Sequence, residues 1–364
     1  MTDRYQSLIQ NPVGQFLAKN LGLPNPPELK RWNGGRLVEG TVLLGGEGEI
    51  VSSLPALLKN GGIDTTTVRA DGKRYQGLVF DATALDSAES LVKIQEFFTP
   101  VLRQLASCGR IVVLGRPVNE TTSTGAAIAQ RALEGFVRSA AKEIGSNGST
   151  ANLVYVNKGA EGDVASTLEF LLSPKSAFVD GQVVRVGSVE GLKAIVPADA
   201  AKPLAGKVAL VTGASRGLGE AMARTLHRDG ATIIGLDVPP LQTDLDALMK
   251  ELDGSSIIAD ITADDAAETI AASLKDGVDF VIHNAGITRD KRLKNMKAEN
   301  WSKVVEVSVG GPERVTAHLL EEGLIREGGR VIGISSIAGI AGNNGQTNYG
   351  AAKAGVIGWV QDLA

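Results

Sequence analysis

Short runs of β-branched and other apolar residues alternate with segments of helical periodicity along most of the chain, and this alternation constrains the fold most strongly. Strand signals such as TVLLGG, GLVFDAT and GRIVVLG are separated by helical segments such as SLVKIQEFFTPVLRQLAS. Strands that alternate with helices predict a parallel sheet wrapped by helices. The 44 glycines and the aromatic content of 4% agree with the tight strand-to-helix turns of an α/β protein.

The alternation occurs twice, which agrees with a length of 364 residues, long for a single domain. Three segments of the first half match three of the second: GTVLLGG (40–46) and GKVALVT (206–212), GRIVVLG (109–115) and GRVIGIS (329–335), and GFVRSAAKEI (135–144) and GWVQDLA (358–364). This repeat predicts two Rossmann-like, doubly wound parallel-sheet domains in tandem.

An Ala- and Pro-rich stretch, VPADAAKPLAGK, interrupts the alternation and predicts a linker between the domains. We therefore expect an N-terminal arm at 1–39, a first domain at 40–192, a linker at 193–205 and a second domain at 206–364. The arm has one amphipathic stretch, Val13 to Leu21, followed by a proline-broken segment. It has little core of its own, so we expect it to pack on another surface.

Composition and charge argue against several classes of function. The net charge is -4 and the basic residues are scattered, which favours neither nucleic acid nor an anionic membrane as a partner. The single cysteine, Cys108, excludes an internal disulfide and fits a reducing compartment. His227, His283 and His318 share no metal-ligand spacing, so no metal site is expected. Without a signal sequence or an apolar run of 18 residues, the chain is expected to be cytoplasmic.

The segment TGASRGLG at 212–219 follows a strand and opens a helix, the context of a nucleotide-binding turn. Its glycines would let the backbone approach a pyrophosphate at the positive end of the helix. The residues expected to contact the cofactor are Gly213, Ser215, Arg216, Gly217, Leu218 and Gly219. The segment also spells G-x-S-x-G, a nucleophile elbow with Ser215 as the nucleophile. The glycine at 219 and an acidic residue at the end of the next strand favour the nucleotide site, because a hydrolase needs neither.

That acidic residue is Asp237, which ends the next strand twenty residues after Gly217. A carboxylate at this position accepts hydrogen bonds from a ribose 2′-hydroxyl and repels a 2′-phosphate. Arg216 favours phosphate, although it could equally contact the pyrophosphate or solvent. The pattern therefore favours NAD(H) over NADP(H).

Tyr349 and Lys353 are set four residues apart at the start of a helix, so both side chains lie on one helical face. Ser336 lies thirteen residues before Tyr349, beyond a Gly- and Asn-rich loop that can fold it back. The preceding residues, 331–334, are expected to form a buried strand. A hydroxyl, a phenol and an ammonium could then converge on one carbonyl oxygen.

The first half of the chain lacks this chemistry. It has Ala126 and Gln130 opposite the Tyr/Lys pair, and Arg116 opposite Ser336. No Gly-rich turn is expected after its opening strand. We therefore expect a degenerate Rossmann- or flavodoxin-like domain that keeps the scaffold and has lost the site.

Together these motifs resemble, in order and approximate spacing, the short-chain dehydrogenase/reductase family. The residues that carry the resemblance are TGASRGLG, Asp260, Asn284-Ala285-Gly286, Ser336 and Tyr349-x-x-x-Lys353. The duplicated, inactive first half resembles the high-molecular-weight class of 3-oxoacyl-[acyl-carrier-protein] reductases. The resemblance implies reduction of a 3-oxoacyl thioester, on acyl carrier protein or CoA, to the 3-hydroxyacyl thioester with NADH, in fatty acid biosynthesis.

The resemblance also implies roles for single residues. Asp260 would contact the adenine ring with Ile261 beside it, and residues 284–286 would shape the strand end next to the cofactor. Tyr349 would protonate the carbonyl oxygen, and a free phenol, with a pKa near ~10, needs help to do so at neutral pH. Lys353 would supply the nearby positive charge and hold the nicotinamide ribose. Ser336 would hydrogen-bond the substrate oxygen.

Two departures from the family pattern affect these expectations. Ser308 stands where the family places a catalytic Asn that supports a water-mediated proton relay to the lysine, so we expect reduced turnover. Family members continue for two more strands beyond the position of Ala364. The second domain is therefore expected to lack its last strands and one wall of the acyl pocket.

Other functions remain open at this point. The chain could be another short-chain dehydrogenase, such as a 3-hydroxyacyl-CoA or secondary-alcohol dehydrogenase. It could also be a catalytically weak nucleotide-binding or scaffold protein. Family members associate through the helices that hold Trp301–Glu322 and Tyr349–Ala364, which implies a homodimer.

Overall fold

The computed structural model describes residues 9, 11–21, 23, 27–187, 199 and 202–364. Most of the expected linker at 193–205 and parts of the expected arm at 1–39 lie outside these described residues. The chain separates into two compact units, unit 1 (Met1–Ala194) and unit 2 (Ile195–Ala364).

Unit 1 is a six-stranded parallel sheet with helices on both faces. Its strands are β1 (Thr41–Gly46), β2 (Asp64–Thr66), β3 (Tyr75–Asp81), β4 (Leu105–Gly115), β5 (Thr150–Val156) and β6 (Val183–Val186). Its helices are α1 (Pro12–Leu21), α2 (Leu54–Asn60), α3 (Val92–Val101), α4 (Thr124–Ile144) and α5 (Ala165–Leu172). The strand order is β2-β1-β3-β4-β5-β6. Alternate residues of each central strand enter two different apolar clusters, because successive side chains point to opposite faces. The sheet is therefore buried on both sides.

Unit 2 repeats the design with five parallel strands. They are β7 (Val208–Thr212), β8 (Thr232–Asp237), β9 (Ser255–Ile258), β10 (Val278–His283) and β11 (Ile325–Gly333). The helices are α6 (Gly217–Arg228), α7 (Gln242–Glu251), α8 (Ala266–Ala272), α9 (Ala298–Val305), α10 (Gly311–Glu321), α11 (Ile337–Ala341) and α12 (Thr347–Leu363). The strand order is β11-β10-β7-β8-β9. From β7 the chain thus builds outwards in both directions, as in a doubly wound Rossmann fold.

The two sheets share a common arrangement of four strands. If β1, β3 and β4 are matched with β7, β10 and β11, the order β2-β1-β3-β4 corresponds to β8-β7-β10-β11. Unit 2 adds β9 beyond β8, whereas unit 1 adds β5 and β6 beyond β4. The expected architecture, two doubly wound parallel sheets in tandem, is confirmed.

Two local expectations were wrong. Residues 331–334 are not a buried strand: β11 has one neighbouring strand among the described residues, it is largely half-buried, and Ile332 is 37% exposed. The helix expected over Trp301–Glu322 is divided by a π-helical turn at Glu306–Gly310. Pro312 explains the interruption, since it has no N–H to donate to the carbonyl four residues earlier and its ring crowds that carbonyl.

Within the described part of the chain, no helix is both long enough and apolar enough to cross a membrane.

Candidate active site

The expected site residues gather at the carboxyl ends of the unit 2 strands, which share one edge because the strands are parallel. The Gly-rich turn follows β7, Asp237 ends β8, Asn284 follows β10, and Ser336 lies shortly after β11. In doubly wound sheets a ligand binds where the strand order reverses, here between β7 and β10.

The turn after β7 requires glycine at three positions. Gly213 and Gly217 have φ values of +66° and +63°, a region that other residues rarely adopt. A Cβ on Gly219 would lie 2.0 Å from the carbonyl oxygen of Gly213. The amide of Asn284 donates to the carbonyl oxygens of Thr212 and Gly213, both at 3.1 Å. Asn284 therefore fixes the turn from the side that faces the protein, and the start of α6 stays accessible on the other side.

The outer side of this turn exposes Arg216 and Leu218 to solvent. Arg216 is the residue before the first turn of α6, where backbone N–H groups have no partner within the helix. Such an N-terminus favours an anion. The residues present thus fit the phosphate groups of a dinucleotide.

The Asp237 side chain is buried and held by the Gly-rich turn. Its Oδ2 accepts hydrogen bonds from the Ser215 hydroxyl at 2.6 Å and the Ser215 N–H at 3.1 Å. Its Oδ1 accepts from the N–H of Val238 at 2.9 Å. Three donors therefore fix the carboxylate at the end of β8.

Asp260 lies two residues after β9 and is exposed. Its Oδ1 accepts from the N–H and the hydroxyl of Thr262, at 3.0 and 2.7 Å, so it forms a local turn. Ile261 is buried, and its carbonyl oxygen would lie 2.5 Å from a Cβ at Gly311. This close approach joins the end of β9 to the start of α10.

Lys353 is the most constrained member of the Ser/Tyr/Lys group. It is 4% exposed, and its Nζ donates to the carbonyl oxygen of Ile334 at 2.7 Å. The same Nζ lies 5.7 Å from the centre of the Tyr349 ring. A Cβ built on Gly286 would be 3.6 Å from it. Burial lowers the pKa of Lys353, because the charged form loses hydration.

Ser336 and Tyr349 are both partly accessible. Ser336 precedes α11, and its Oγ accepts from the N–H of Ala338 at 3.2 Å. A hydroxyl that accepts a bond still has its own O–H to donate. Tyr349 is in the first turn of α12, one helical turn before Lys353.

Ser308 lies in the middle of the π-helical turn and is 4% exposed. Within the described residues its hydroxyl has no hydrogen-bond partner. The turn packs against α12, since a Cβ on Gly355 would lie 3.3 Å from the side chain of Val309. A buried hydroxyl without a protein partner is a place where an ordered water is expected.

Comparison with known proteins shows which family has this arrangement of residues. The family "short chain dehydrogenase" matches residues 207–364. The 3-oxoacyl-[acyl-carrier-protein] reductase of Vibrio cholerae is 40% identical over 164 residues, which cover 44% of this chain and 67% of the reductase. The reductase of the same name from Thermotoga maritima is 38% identical over 173 residues, 44% of this chain and 70% of that protein. Nodulation protein G of Rhizobium sp. is 41% identical over 166 residues, with 44% and 67% coverage.

The chain belongs to the short-chain dehydrogenase family. It is therefore an oxidoreductase whose family uses a nicotinamide cofactor. The expected resemblance to 3-oxoacyl-[acyl-carrier-protein] reductases is confirmed at 37–40% identity.

Sequence reasoning missed three residues that organise this short-chain dehydrogenase site. The Thr212 hydroxyl accepts from the N–H groups of Asn284 and Ala285, both at 3.1 Å. The Ser335 hydroxyl donates to the carbonyl oxygen of Lys353 at 2.7 Å. The third is Asn348, which precedes Tyr349 and is fully buried. The available signal was that each is a polar residue within or next to a recognised motif.

At the corresponding edge of unit 1, described side chains occupy the space beyond the first strand. Gly45 and Gly46 end its first strand, and Gly48 follows two residues later. The space they leave is filled by the protein itself, since a Cβ on Gly48 would lie 2.2 Å from Oδ1 of Asp81. The Asp81 carboxylate accepts from the N–H groups of Ile50 and Val51, both at 2.8 Å. The dehydrogenase chemistry of this chain thus belongs to unit 2.

Proposed function

We propose that the protein reduces the 3-oxo group of an acyl thioester to a 3-hydroxyl group with NADH. The acyl group would be carried by acyl carrier protein or CoA. The similar proteins from Vibrio cholerae and Thermotoga maritima are named 3-oxoacyl-[acyl-carrier-protein] reductases, which supports this substrate class. One observation carries the proposed chemistry: the buried ammonium of Lys353 lies 5.7 Å from the Tyr349 ring at the carboxyl edge of the sheet.

In this proposal Tyr349 is the general acid. The bound nicotinamide supplies a hydride to the carbonyl carbon. Tyr349 donates its phenolic proton to the carbonyl oxygen, and Ser336 donates a hydrogen bond to the same oxygen while negative charge develops there. Asn284, Ala285 and Gly286 form the adjacent wall.

Lys353 acts on Tyr349 and on the cofactor ribose. Among the described residues its Nζ makes one hydrogen bond, to the carbonyl oxygen of Ile334, which uses one of its three N–H donors. The other donors suit a ribose hydroxyl and a water. Its positive charge favours the phenolate that Tyr349 becomes after proton donation.

Ser308 would supply the water in the proton path. Its hydroxyl is buried, without a partner among the described residues, and lies in a turn that packs against α12. A water held there could return a proton towards Lys353. A serine reaches less far than the asparagine usual in the family, so we expect the path to operate at reduced rate.

Asp237 would select NAD(H). Its carboxylate is fixed by Ser215 and Val238, so it cannot turn away from a 2′-phosphate without losing these bonds. The fixed negative charge would repel a 2′-phosphate and accept from a 2′-hydroxyl. Asp260 and Ile261 would border the adenine, with Gly213, Gly217 and Gly219 beneath the pyrophosphate and Arg216 and Leu218 at its edge. We also propose a homodimer formed through the helices at 298–321 and 347–363.

The test is an assay of NADH and NADPH oxidation with acetoacetyl-CoA. We expect turnover with NADH, a preference over NADPH, and loss of at least about 10³-fold in kcat for Tyr349→Phe. Tyr155→Phe is the matched control, since Tyr155 is a buried tyrosine of unit 1 that donates to the carbonyl of Gln130. The Tyr155→Phe variant should have the same kcat as the unmodified protein.

Other outcomes assign other functions. Activity confined to a secondary alcohol with NAD would identify a different dehydrogenase. NADH binding without turnover on either substrate class would indicate a scaffold protein. Turnover that survives Tyr349→Phe would contradict the mechanism.

A further inference from the structure

The helix that carries Tyr349 and Lys353 begins without a side-chain cap. Gln346 occupies the capping position of α12 and makes no capping bond. Its amide donates instead to Oδ2 of Asp290 at 3.0 Å. The first N–H groups of a helix have no partner within it and need one from outside. Here Asn348 provides one, because its Oδ1 accepts from the N–H of Tyr349 at 2.8 Å.

The other end of the same amide reaches two further elements. Asn348 is 0% exposed. Its Nδ2 donates to the carbonyl oxygen of Arg289 at 3.2 Å and to that of Asn300, in α9, at 3.4 Å. The N–H of Lys291 also donates to the carbonyl of Gly345 at 2.8 Å. One buried side chain therefore joins the start of α12 to the segment after β10 and to α9.

Only an amide can make this set of bonds. The site offers one N–H donor, on Tyr349, and two carbonyl acceptors, on Arg289 and Asn300. An aspartate of the same shape accepts but does not donate when ionised, and an aliphatic side chain does neither. Either replacement leaves buried polar groups without partners, which is costly.

Lys353 is held independently of Asn348. Its Nζ bonds Ile334 and its carbonyl accepts from Ser335, both near the end of β11. Loss of the Asn348 bonds would therefore release the first turn of α12, with Tyr349, while Lys353 keeps its anchors.

We infer that Asn348 is a positioning residue, which sets the place of the Tyr349 phenol relative to Lys353 and the segment after β10. The inference rests on the proposed role of Tyr349 as proton donor. A displacement of about 1 Å in such a group costs on the order of 100-fold in rate.

The test compares Asn348→Ala and Asn348→Asp with the unmodified protein, using NADH and acetoacetyl-CoA. Asn348→Ala should lose about 30- to 100-fold in kcat. Its KM and its Kd for NADH should stay within about twofold, because Lys353 and the Gly-rich turn are untouched. The matched control is Asn343→Ala, an exposed asparagine five residues away whose amide bonds Gln346. It should keep kcat within about twofold.

Asn348→Asp separates positioning from bulk stability. A carboxyl buried against carbonyl oxygens has a raised pKa, and its protonated form regains a donor. The kcat of this variant, divided by that of the unmodified protein, should rise severalfold from about pH 8 to about pH 6. A fall in kcat that only follows the fraction of folded, NADH-binding protein, with no such recovery, would overturn the inference. So would an Asn348→Ala variant with unchanged kcat.

Hydrogen exchange distinguishes failure of this inference from failure of the proposed function. In Asn348→Ala, the amides of 347–350 and 289–291 should exchange at least about tenfold faster, with those of β11 unchanged. If the unmodified protein reduces no thioester, the proposed function is wrong, and this exchange pattern still decides whether Asn348 joins the two segments. Unchanged exchange in both segments would refute the inference.

Discussion

The carboxyl edges of the two sheets share the same strand arrangement, but the space beyond the first strand is open in unit 2 and filled in unit 1. In unit 2, glycines at 213, 217 and 219 keep the space beyond β7 open, and Asn284 holds the turn from below. In unit 1, the equivalent space beyond β1 contains the Asp81 carboxylate, which is bonded to Thr83 and to backbone N–H groups. A ligand site in this fold thus depends on whether the space beyond the first strand is left open or is filled by the protein's own side chains.

Lys353 and Gln130 show the same difference. Gln130 lies in α4, the long helix after β4, and Lys353 lies in α12, the long helix after the matched strand β11. The Gln130 amide donates to the carbonyls of Ala82 and Leu85, at 2.9 and 2.8 Å, and its oxygen accepts from the backbone N–H of Arg116 at 2.7 Å. Every hydrogen of that amide is used. Within the part of the chain that the structure describes, the Lys353 ammonium uses one of its three N–H donors, in the bond to Ile334. In the open site of unit 2, hydrogen-bond donors remain available for a ligand. In unit 1 the corresponding donors bond to the protein's own carbonyl groups.

The guanidinium of Arg116 completes the closure of unit 1. It is buried, donates to the carbonyl of Val156 at 3.0 Å and pairs with Glu161 at 2.6 Å. Ser336 holds the matched position in unit 2 and is far smaller. The larger side chain covers the strand ends that the serine leaves accessible.

The largest effect expected on cofactor binding comes from filling the open turn. Gly219→Ala places a Cβ 2.0 Å from the Gly213 carbonyl, so the turn must move away from its cofactor-binding shape. We expect NADH affinity to fall about 100-fold in calorimetric titration. Gly48→Ala is the matched control in unit 1, where the Cβ would meet Asp81 at 2.2 Å. It should destabilise the protein and leave NADH affinity unchanged; equal effects of the two changes would break the comparison.

The units should also differ in acid sensitivity, because all three histidines lie in unit 2. Burial lowers the pKa of His283 from 6.5 to about 3. Below pH 6.5 His283 binds a proton in the unfolded chain but stays neutral in the folded protein. The free energy of unfolding therefore decreases as the pH falls towards 3. At about pH 5 the loss should be about 2 kcal/mol, roughly 30-fold in the unfolding equilibrium.

Urea unfolding of the unmodified protein and of His283→Gln, at neutral and acidic pH, measures this contribution. The variant should show a weaker acid dependence, whereas His227→Gln, at an exposed position, should not. Parallel pH profiles for His283→Gln and the unmodified protein would rule out the assignment.

A tenfold effect is expected at Asp237, the carboxylate that ends β8. Asp237→Asn removes the charge that we propose repels a 2′-phosphate and should reduce the preference for NADH over NADPH about tenfold. Asp81→Asn, a change at the buried carboxylate that ends β3 in unit 1, should lower thermal stability without changing the preference. Ratios of kcat/KM for the two cofactors give the answer, and an Asp237→Asn ratio equal to that of the unmodified protein would remove the proposed role.

The smallest effect concerns the proton path. Ser308→Asn restores the side chain usual in the family, and we expect kcat to rise about threefold with unchanged NADH affinity. Ser302→Asn, an exposed serine of α9, serves as the control. A lower kcat in Ser308→Asn would show that the serine is adapted to its π-helical turn.

Much of the fold was predictable because alternation of strands and helices is local. Of the three pairs of segments matched between the halves, two form corresponding strands and the third lies in corresponding helices, α4 and α12. The three-residue strand β2, with the polar sequence DTT, carries too weak a signal to be recognised. The half-exposed state of β11 and the π-helical turn depend on neighbours and on Pro312, so apolar periodicity alone predicted a buried strand and one long helix.

The candidate site was predictable where a motif carries its own chemistry, as Tyr349 and Lys353 do. The supporting residues were not, because their roles depend on contacts distant in sequence. Asn348 bonds Arg289, 59 residues away, and Asn284 bonds Thr212, 72 residues away. The closure of unit 1 by Asp81 likewise appears only when its partners are brought together.

The most direct measurement is the number of NADH molecules bound per chain, by calorimetric titration of the unmodified protein and of Gly219→Ala. The account predicts one NADH per chain, with that binding weakened in the variant, because only unit 2 keeps its strand ends open. Two NADH molecules per chain, or one whose affinity is unchanged in Gly219→Ala, would contradict it.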